Sequence, residues 1–288
     1  MASTREIRRR IKSIRSTAQI TKAMQMVAAS KMRRAQEAAI AVRPFIRMVY
    51  RIQRKAVTRV VDFTHPLLEV RPVKKRLVIL VSSDKGLCGA LNSNLFRLAG
   101  RYAPSSTVFI TAGRKAAQFV ARTRRQLIAD FPYGDTPRFT EARAIAAMAR
   151  DLYLKGEVDE VLIVATRFIN TLTQEAVALE YLPVGEVKGL KLPGSEFEEV
   201  PTADTTEFRF EPGADAILSY LLGHYLNILV YTVLLNAKAS EQSARMVSMK
   251  SATDNANTMI KDLTLAYNKL RQGAITQELL EIAGGQAN

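Results

Sequence analysis

Apolar and small side chains recur at alternating steps of three and four residues at both ends of the chain. This spacing places them along one stripe of a helix, as in a coiled coil. The N-terminal stripe comprises Ile7, Ile11, Ile14, Ala18, Thr21, Met24, Ala28, Met32, Ala35, Ala39, Val42, Ile46 and Val49, and the C-terminal stripe comprises Leu221, Tyr225, Ile228, Thr232, Leu235, Ala239, Met246, Met249, Thr253, Ala256, Ile260, Leu263, Tyr267, Leu270 and Ala274. The pattern predicts a long helix at each end, and the two helices can pair with each other. A coiled coil that dimerises or spaces domains is the simpler alternative.

Start and stop signals set the predicted bounds of these helices. The first helix begins near Ser3 or Thr4, whose hydroxyl can cap the first turn, and runs to about Val61 with a kink at Pro44. All ten prolines lie between Pro44 and Pro212, and none follows. The last helix is predicted from about Gly213 to about Ala283, before a glycine pair.

The middle of the chain alternates between strand and helix patterns. Strands are predicted at Arg76–Ser82, Thr107–Ala112, Val158–Arg167 and Thr173–Leu182, and helices at Leu91–Arg101, Arg114–Arg122 and Glu141–Leu154 with Thr140 as cap. This alternation favours an α/β domain with a mostly parallel sheet. The segment from Lys188 to Thr206 is predicted to be a loop or an edge hairpin. The chain is thus predicted to comprise an N-terminal helix (1–61), a central α/β domain (75–206) and a C-terminal helix (212–284).

The net charge of +15 is concentrated at the N-terminal end. Residues 1–60 carry sixteen Lys and Arg against two acids, Glu6 and Glu37. Such a basic helix can be an organelle transit peptide, a nucleic-acid-binding arm, a surface for an acidic protein or a solvated face. The periodic pattern continues for about fifty residues, which disfavours a cleaved transit peptide.

Composition narrows the class of protein. No run of 18 or more apolar residues occurs, so the sequence predicts no membrane span. The single cysteine, Cys88, excludes a disulfide framework, and with only His65 and His224 it makes a zinc cluster improbable. We therefore expect no metal or other cofactor and a reducing, intracellular setting.

The segment Ser82–Asn94 is the stretch most like a binding site. It follows a strand and enters a helix, where α/β folds bind phosphates. Gly86 and Gly89 are spaced G-x-x-G, however, and the phosphate-binding patterns G-x-G-x-x-G and G-K-[ST] are absent. We therefore predict a tight structural turn, with Cys88 buried and unreactive. A nucleotide-using enzyme would lack both a phosphate loop and an acid/base pair.

Four segments resemble the gamma subunit of F-type ATP synthases. They are Ile20–Arg33 (ITKAMQMVAASKMR), Ser83–Asn94 (SDKGLCGALNSN), Ala239–Asn255 (ASEQSARMVSMKSATDN) and Tyr267–Ile282 (YNKLRQGAITQELLEI). They occur in the family's order along the whole chain. In the second segment, Lys85 and Ala90 stand where the family usually has Arg and Gly.

The resemblance implies a fold and a function. The fold would be a long antiparallel coiled coil of the two terminal helices with a central Rossmann-like α/β domain that binds no nucleotide. The chain would be the rotor shaft inside a hexamer of alternating alpha and beta subunits. Its foot would contact the epsilon subunit and the ring of c subunits. Rotation of the ring would drive ATP synthesis in the beta subunits, so the chain itself would not be catalytic.

The resemblance also implies contact residues. Lys22, Met24 and Lys31 would face acidic loops of the beta subunit, and Phe208 and Glu211 would face the c ring. Further beta-subunit contacts are Arg245, Gln272 and Thr276. We expect these three side chains to point outward from the helix and to meet one beta-subunit loop. No targeting extension precedes the first helix, which favours a bacterial protein on the cytoplasmic face of the cell membrane.

A nucleic-acid-binding arm remains the alternative of a different class. Stacking platforms for single-stranded nucleic acid interleave aromatic side chains with Lys and Arg. The first 44 residues contain no aromatic side chain, which leaves only phosphate contacts for such a function. Copurification with alpha and beta subunits would distinguish the rotor, the nucleic-acid binder and the enzyme.

Overall fold

The computed structural model describes residues 4–57, 60, 63–184, 210–211 and 213–285. Its elements are α1 (Thr4–Val57), β1 (Arg76–Val81), α2 (Leu91–Ala99), β2 (Thr107–Ala112), α3 (Arg114–Arg122), β3 (Gln126–Phe131), α4 (Phe139–Leu154), β4 (Glu160–Phe168), β5 (Gln174–Leu182) and α5 (Ala214–Gly285), with a 3₁₀ turn at Pro66–Leu68. The chain divides into two compact units. The helix-pair unit comprises residues 1–29 and 245–288, and the sheet unit comprises residues 30–244.

In the helix-pair unit, the start of α1 and the end of α5 are antiparallel. The hydroxyls of Thr21 and Thr253 are 2.7 Å apart and buried. The guanidinium of Arg8 lies over the ring of Tyr267, 5.8 Å from its centre. A step of 13 residues toward the start of α1 therefore matches a step of 14 residues toward the end of α5, as expected for antiparallel helices. Small seam residues such as Ala18, Ala28 and Ala256 are buried at this interface, as the periodic pattern predicts.

The sheet unit is built on five strands in the order β3-β2-β1-β4-β5. β1 pairs in parallel with both β2 and β4, β2 pairs in parallel with β3, and only β4 and β5 are antiparallel. The predicted α/β domain with a mostly parallel sheet is therefore confirmed.

β1 is buried on both faces because its side chains alternate between two apolar layers. Leu77, Ile79 and Val81 face a core that also contains residues of α1, α4 and α5. Val78 and Leu80 face a second core formed with α2 and α3. Helices thus cover both faces of the sheet, and within this unit α1 and α5 pack on one of them.

Two predicted features differ from the structure. Strand β3 has no counterpart in the sequence prediction, because it is a sheet edge whose side chains are mostly exposed and lack a regular alternation. Helix α4 begins at Phe139, before the predicted Thr140 cap, because the Glu141 carboxylate accepts a hydrogen bond from the Arg138 backbone N–H at 2.8 Å.

Two helices end earlier than predicted. α1 continues through Pro44 but ends at Val57, with Val60 not helical, a few residues before the predicted end near Val61, and α2 ends at Ala99, before the predicted Arg101. α5 begins at Ala214, within the predicted start. The predicted loop from Lys188 to Thr206 lies outside the described residues. The division into segments 1–61, 75–206 and 212–284 stays a prediction.

Gly113, between β2 and α3, allows the closest backbone approach in the sheet unit. Its φ is +98°, and a Cβ there would lie 2.2 Å from the carbonyl oxygen of Ser82. Since any side chain would clash with fixed backbone, the turn into α3 requires glycine at this position.

Gly113→Ala should therefore lower the free energy of unfolding by about 2–4 kcal/mol through steric overlap and backbone strain. Gly86→Ala is the matched control, since its Cβ would meet no atom within 4 Å. It should change stability by less than about 1 kcal/mol. Urea unfolding of the two variants measures the difference, and equal stabilities would contradict the steric argument.

Candidate functional site

The loop after β1, residues 82–90, is held against the start of α3. The first three backbone N–H groups of α3 donate to it: Arg114 N to Asp84 Oδ1 (3.0 Å), Lys115 N to Ser83 O (3.1 Å) and Ala116 N to Ser82 Oγ (2.7 Å). Helix N-terminal N–H groups at this edge of an α/β sheet are donors that can bind phosphate. Here the chain's own oxygens accept all three bonds, so this loop is a structural turn, as predicted.

Cys88 is part of the same turn. Its thiol is 2% exposed. The side-chain amide of Asn92 donates to Ser83 Oγ at 2.7 Å and to Cys88 Sγ at 3.3 Å. Neither histidine approaches the thiol: His65 Nδ1 accepts from the Leu67 backbone N–H, and His224 lies among aromatic rings. The thiol is therefore packed inside the turn and accepts a hydrogen bond from Asn92.

Helix α5 fills the crevice between the carboxyl ends of β1 and β4. The chain leaves β1 toward β2 on one side and returns with β4 on the other, and α/β folds bind ligands at such a switch point. Lys238 of α5 faces Asp84 in the loop after β1, while Ser243 Oγ donates to the carbonyl of Thr171 after β4 at 2.7 Å. The side chains from Lys238 to Ser243 are all buried. A helix of the same chain thus occupies the usual ligand position.

Lys238 brings a buried positive charge into this crevice. It is only 1% exposed, and its Nζ donates to Glu241 Oε2 at 3.0 Å. The same Nζ is 3.9 Å from Asp84 Oδ2 and 4.0 Å from Asp135 Oδ1. It also lies over the ring of Tyr133, 4.6 Å from its centre. A buried ammonium requires such compensation, because taking it out of water without partners is costly.

Asp135 extends this group of charges to α1. Its Oδ2 accepts from Lys31 Nζ at 2.6 Å. That hydrogen bond, followed by the charges of Lys31, Lys238 and Lys85, holds the pKa of Asp135 below its usual value. We call Lys31, Asp84, Tyr133, Asp135, Lys238 and Glu241 the charge cluster. It joins α1, α5 and the loops after β1 and β3.

The ring of Tyr133 packs against the ammonium of Lys238. Its hydroxyl donates to the carbonyl of Ser82 at 2.8 Å, and its side chain is buried. Burial, and then the charges of Glu241 and Asp84, raise the pKa of Tyr133 well above its usual value. The phenol therefore stays neutral and serves as a hydrogen-bond donor and as a face for the ammonium.

The predicted beta-subunit contacts fall in both units. In the helix-pair unit, Lys22 is exposed and Met24 is half-buried in the seam. Gln272 and Thr276 are exposed on the last part of α5, where the Thr276 hydroxyl donates to the Gln272 carbonyl at 2.9 Å. Lys31 belongs to the sheet unit, where Asp135 already engages it.

Arg245 does not point outward as predicted. It is only 8% exposed. Arg245 and Gln272 are also 27 residues apart on one continuous helix, or about 40 Å. This distance does not favour contact of both residues with one partner loop, and the beta-subunit contacts stay predictions.

Of the two predicted c-ring contacts, Glu211 is exposed just before α5. Phe208 lies outside the described residues. The described part of the chain contains no group of three or more His, Cys, Asp or Glu that could hold a metal ion.

Sequence reasoning did not identify Lys238, Tyr133, Asp135 or Glu241 as a unit. One signal was available: Lys238 and Glu241 are an (i, i+3) pair of opposite charges directly after a long apolar stretch of α5. Charges at such a position are expected to be paired. The loop residues are brought to them only by the topology of the sheet.

One described helix, α5, contains a stretch that is apolar and long enough to cross a membrane by length and composition. In the structure, 61% of that stretch is buried inside the protein. Packing in the core of the sheet unit accounts for its apolar character.

Comparison with known proteins gives a consistent result. A protein-family model described as ATP synthase matches residues 3–288. The chain is 45% identical to the ATP synthase gamma chain of Opitutus terrae over 99% of this chain and 98% of that one. It is 42% identical to the ATP synthase gamma chain of Methylacidiphilum infernorum over 99% of both.

Solved structures agree with this. A chain from the central stalk and c ring of the Tetrahymena thermophila mitochondrial ATP synthase matches with a TM-score of 0.58 and 25% identity, over 81% of this chain and 99% of that one. A chain of the Euglena gracilis mitochondrial ATP synthase matches with a TM-score of 0.67 and 19% identity, over 99% of this chain and 93% of that one. The chain therefore belongs to the ATP synthase gamma chain family.

Proposed function

We propose that this chain is the central rotor shaft of an F-type ATP synthase. In this role it couples ion-driven rotation of the c ring to ATP synthesis at the beta subunits, and ATP hydrolysis to rotation in reverse. The main support for this proposal comes from the helix-pair unit. Its two helices, from opposite ends of the chain, pair antiparallel. Both have large apolar side chains on their outer surface. Such a surface requires an enclosing partner.

The outer apolar side chains occur on both helices. On α1 they include Ile20, Met26 and Val27, which are 55–60% exposed. On α5 they are Met259, Leu265, Ile275, Leu279 and Leu280, which are 46–70% exposed. Isolated apolar side chains on a surface are ordinary, but a helix pair that has them on both members favours burial against other proteins. We infer that alpha and beta subunits provide that surround.

The basic residues of α1 favour an acidic partner surface. Arg5, Arg8, Arg9, Arg10, Lys12, Arg15 and Lys22 are all exposed in the helix-pair unit. Only Glu6 offsets them on this part of α1, and it pairs with Arg10 at 2.7 Å. Complementary charge guides assembly and sets orientation more than it sets affinity. We propose acidic loops of the beta subunit as that surface, with Lys22 as a contact.

The proposed contacts lie at two levels along the helix pair. Because Thr21 is paired with Thr253, Lys22, Met24 and Arg245 are near one level. Gln272 and Thr276 are about 30–45 Å farther along α5. We propose that the two levels contact different parts of the beta subunits. Lys31 would reach a partner only by sharing or leaving Asp135.

We further propose that the chain is non-catalytic and that its sheet unit contacts the epsilon subunit and the c ring, the latter through Glu211 and Phe208. It would lie peripherally on the cytoplasmic side of a bacterial cell membrane. The crevice filled by α5 and the engaged N-terminus of α3 support a mechanical role for the sheet unit, since nucleotide chemistry would need both.

The proposed function is tested by co-expression with alpha and beta subunits. The chain should copurify with both, and the complex should hydrolyse ATP, whereas the chain alone should not. Probing of the same preparation with duplex and single-stranded DNA tests the nucleic-acid alternative. Failure to copurify, together with salt-sensitive DNA binding, would reject the rotor in favour of a phosphate-binding arm.

The outer apolar side chains should matter for assembly and not for the chain's own fold. Ile20→Ser and Leu265→Ser together should lower the free energy of unfolding by less than about 1 kcal/mol, since both are mostly exposed. They should weaken association with alpha and beta subunits by about 1–3 kcal/mol, roughly five- to a hundredfold. Ile7→Ser is the contrasting control: Ile7 is 6% exposed, so its loss should destabilise the free chain. Unaltered association in the double variant would contradict an enclosed helix pair.

Gln272 gives the sharper test of a rotary contact, because it is exposed and Arg245 is not. Loss of a neutral hydrogen bond to a beta subunit should cost about 0.5–1.5 kcal/mol, so Gln272→Ala should slow ATP turnover by roughly two- to tenfold with normal assembly. Asn257→Ala removes an exposed amide about four turns earlier on the same helix and should leave turnover unchanged. Equal turnover in both variants would mean that Gln272 is only solvated surface.

A further inference from the structure

The charge cluster adds directional contacts to the apolar packing between α5 and the sheet. Apolar contact is non-directional and permits neighbouring helices to slide or turn against each other. A buried ammonium is different, because it must keep its carboxylates within a few ångströms. Lys238 is 1% exposed, and all its recorded charged partners lie within 4.0 Å. Any rotation of α5 about its own axis would separate this group from Asp84 and Asp135.

The partners of Lys238 belong to two different loops of the sheet. Asp84 follows β1, and its second oxygen accepts from the first backbone N–H of α3. Asp135 follows β3 and is bound by Lys31 of α1. One lysine therefore connects α5 to two loops of the sheet, and Asp135 passes the connection to α1. Both long helices are held at one edge of the sheet by the same set of charges.

The distance of the cluster from the axis of α5 also affects how strongly it resists turning of that helix. An extended lysine side chain places its ammonium roughly 8 Å from the helix axis, well outside the backbone radius of about 2.3 Å. A bond at that distance opposes turning of the helix more effectively than contacts near the axis. The small seam residues, by contrast, lie close to the partner helix and resist turning little.

We propose that the charge cluster is a torque joint: it locks the rotation of α1 and α5 to the sheet unit, so that twisting of the helices is delivered to the sheet. This proposal rests on the proposed rotor function. It assigns to Lys238 and Asp135 a mechanical role that differs from binding of alpha or beta subunits, and it explains why a lysine is retained at a fully buried position of α5.

The test compares two activities of the same assembly. Lys238→Met keeps an unbranched side chain but removes the buried charge. Asp135→Asn removes one charged partner at a side chain that is 54% exposed. Each variant is assembled with alpha and beta subunits for ATP hydrolysis, and into membrane-reconstituted whole complex for ATP-driven ion pumping. Lys261→Met, an exposed lysine on the same helix, is the matched control.

A torque joint predicts that hydrolysis by the alpha–beta assembly stays within about twofold of the unmodified protein, while ions pumped per ATP hydrolysed fall at least about threefold for Lys238→Met and by a smaller factor for Asp135→Asn. The control should retain full pumping. Unchanged pumping per ATP in both variants would overturn the joint. If Lys238→Met does not fold, Asp135→Asn alone decides between these outcomes.

Hydrogen exchange of the free chain separates failure of the joint from failure of the rotor function. Loss of the joint should speed exchange in residues 84–90 and 132–137 at least about tenfold in Lys238→Met, and leave β1 and β4 protected. Unchanged exchange in those loops would reject the joint whatever the partners of the chain. A protein that does not assemble with alpha and beta subunits, yet shows the faster exchange, would keep the joint and reject the rotor function.

Discussion

The burial of α5 on nearly all sides, from Tyr225 to Ser243, is the constraint on which the rest of the sheet unit depends. Ordinary surface helices bury one stripe, but here almost every side chain in this range is buried. A helix in that position must be apolar, must use small residues where other elements come close, and must pair any charge that it carries. Ala237, Ala239 and Ser240 meet the second requirement, and Lys238 with Glu241 meets the third.

The same constraint shapes the carboxyl edge of the sheet, where α/β folds often bind nucleotides. α5 contacts the loops after β1 and β4, and the first N–H groups of α3 are bonded to the loop after β1. These groups, which bind phosphate in many α/β enzymes, contact other parts of the chain here. Within this unit, the sheet provides the surface on which α1 and α5 pack.

Most of the fold was predictable because its signals are local and periodic. Every seam position predicted on α1 is buried or half-buried, and so are those on α5 except Ala274, which is exposed. β2 and α3 have the predicted bounds. Strand β3 was missed because an exposed edge strand has no alternation to detect. The outward direction of Arg245 was wrong because burial at that point comes from the packing around α5, which a helical stripe does not encode.

The candidate site was less predictable, for a related physical reason. The beta-subunit and c-ring contacts came from resemblance, and their roles stay predictions. The charge cluster came from neither pattern nor resemblance: Lys31, Asp84, Asp135 and Lys238 follow one another along the chain at intervals of 53, 51 and 103 residues. Asp84 and Asp135 lie in the loops after β1 and β3. Only parallel pairing of β1, β2 and β3 brings those two loops to one edge of the sheet. The pair of Lys238 and Glu241 could be seen in the sequence, but what it holds could not.

A shaft has two mechanical requirements that cannot be met by the same kind of contact. Where it turns against its surroundings, it needs contacts that give way at low cost, and weakly directional apolar side chains such as Ile20 and Leu265 are suited to that. Where it carries a domain, it needs contacts that fail when rotated, and paired buried charges are suited to that. The chain has both kinds of contact: Ile20 and Leu265 lie outward on the helix-pair unit, and the charge cluster lies in the sheet unit. Mixing the two would either let the domain slip on its helices or hold the helices against their partners.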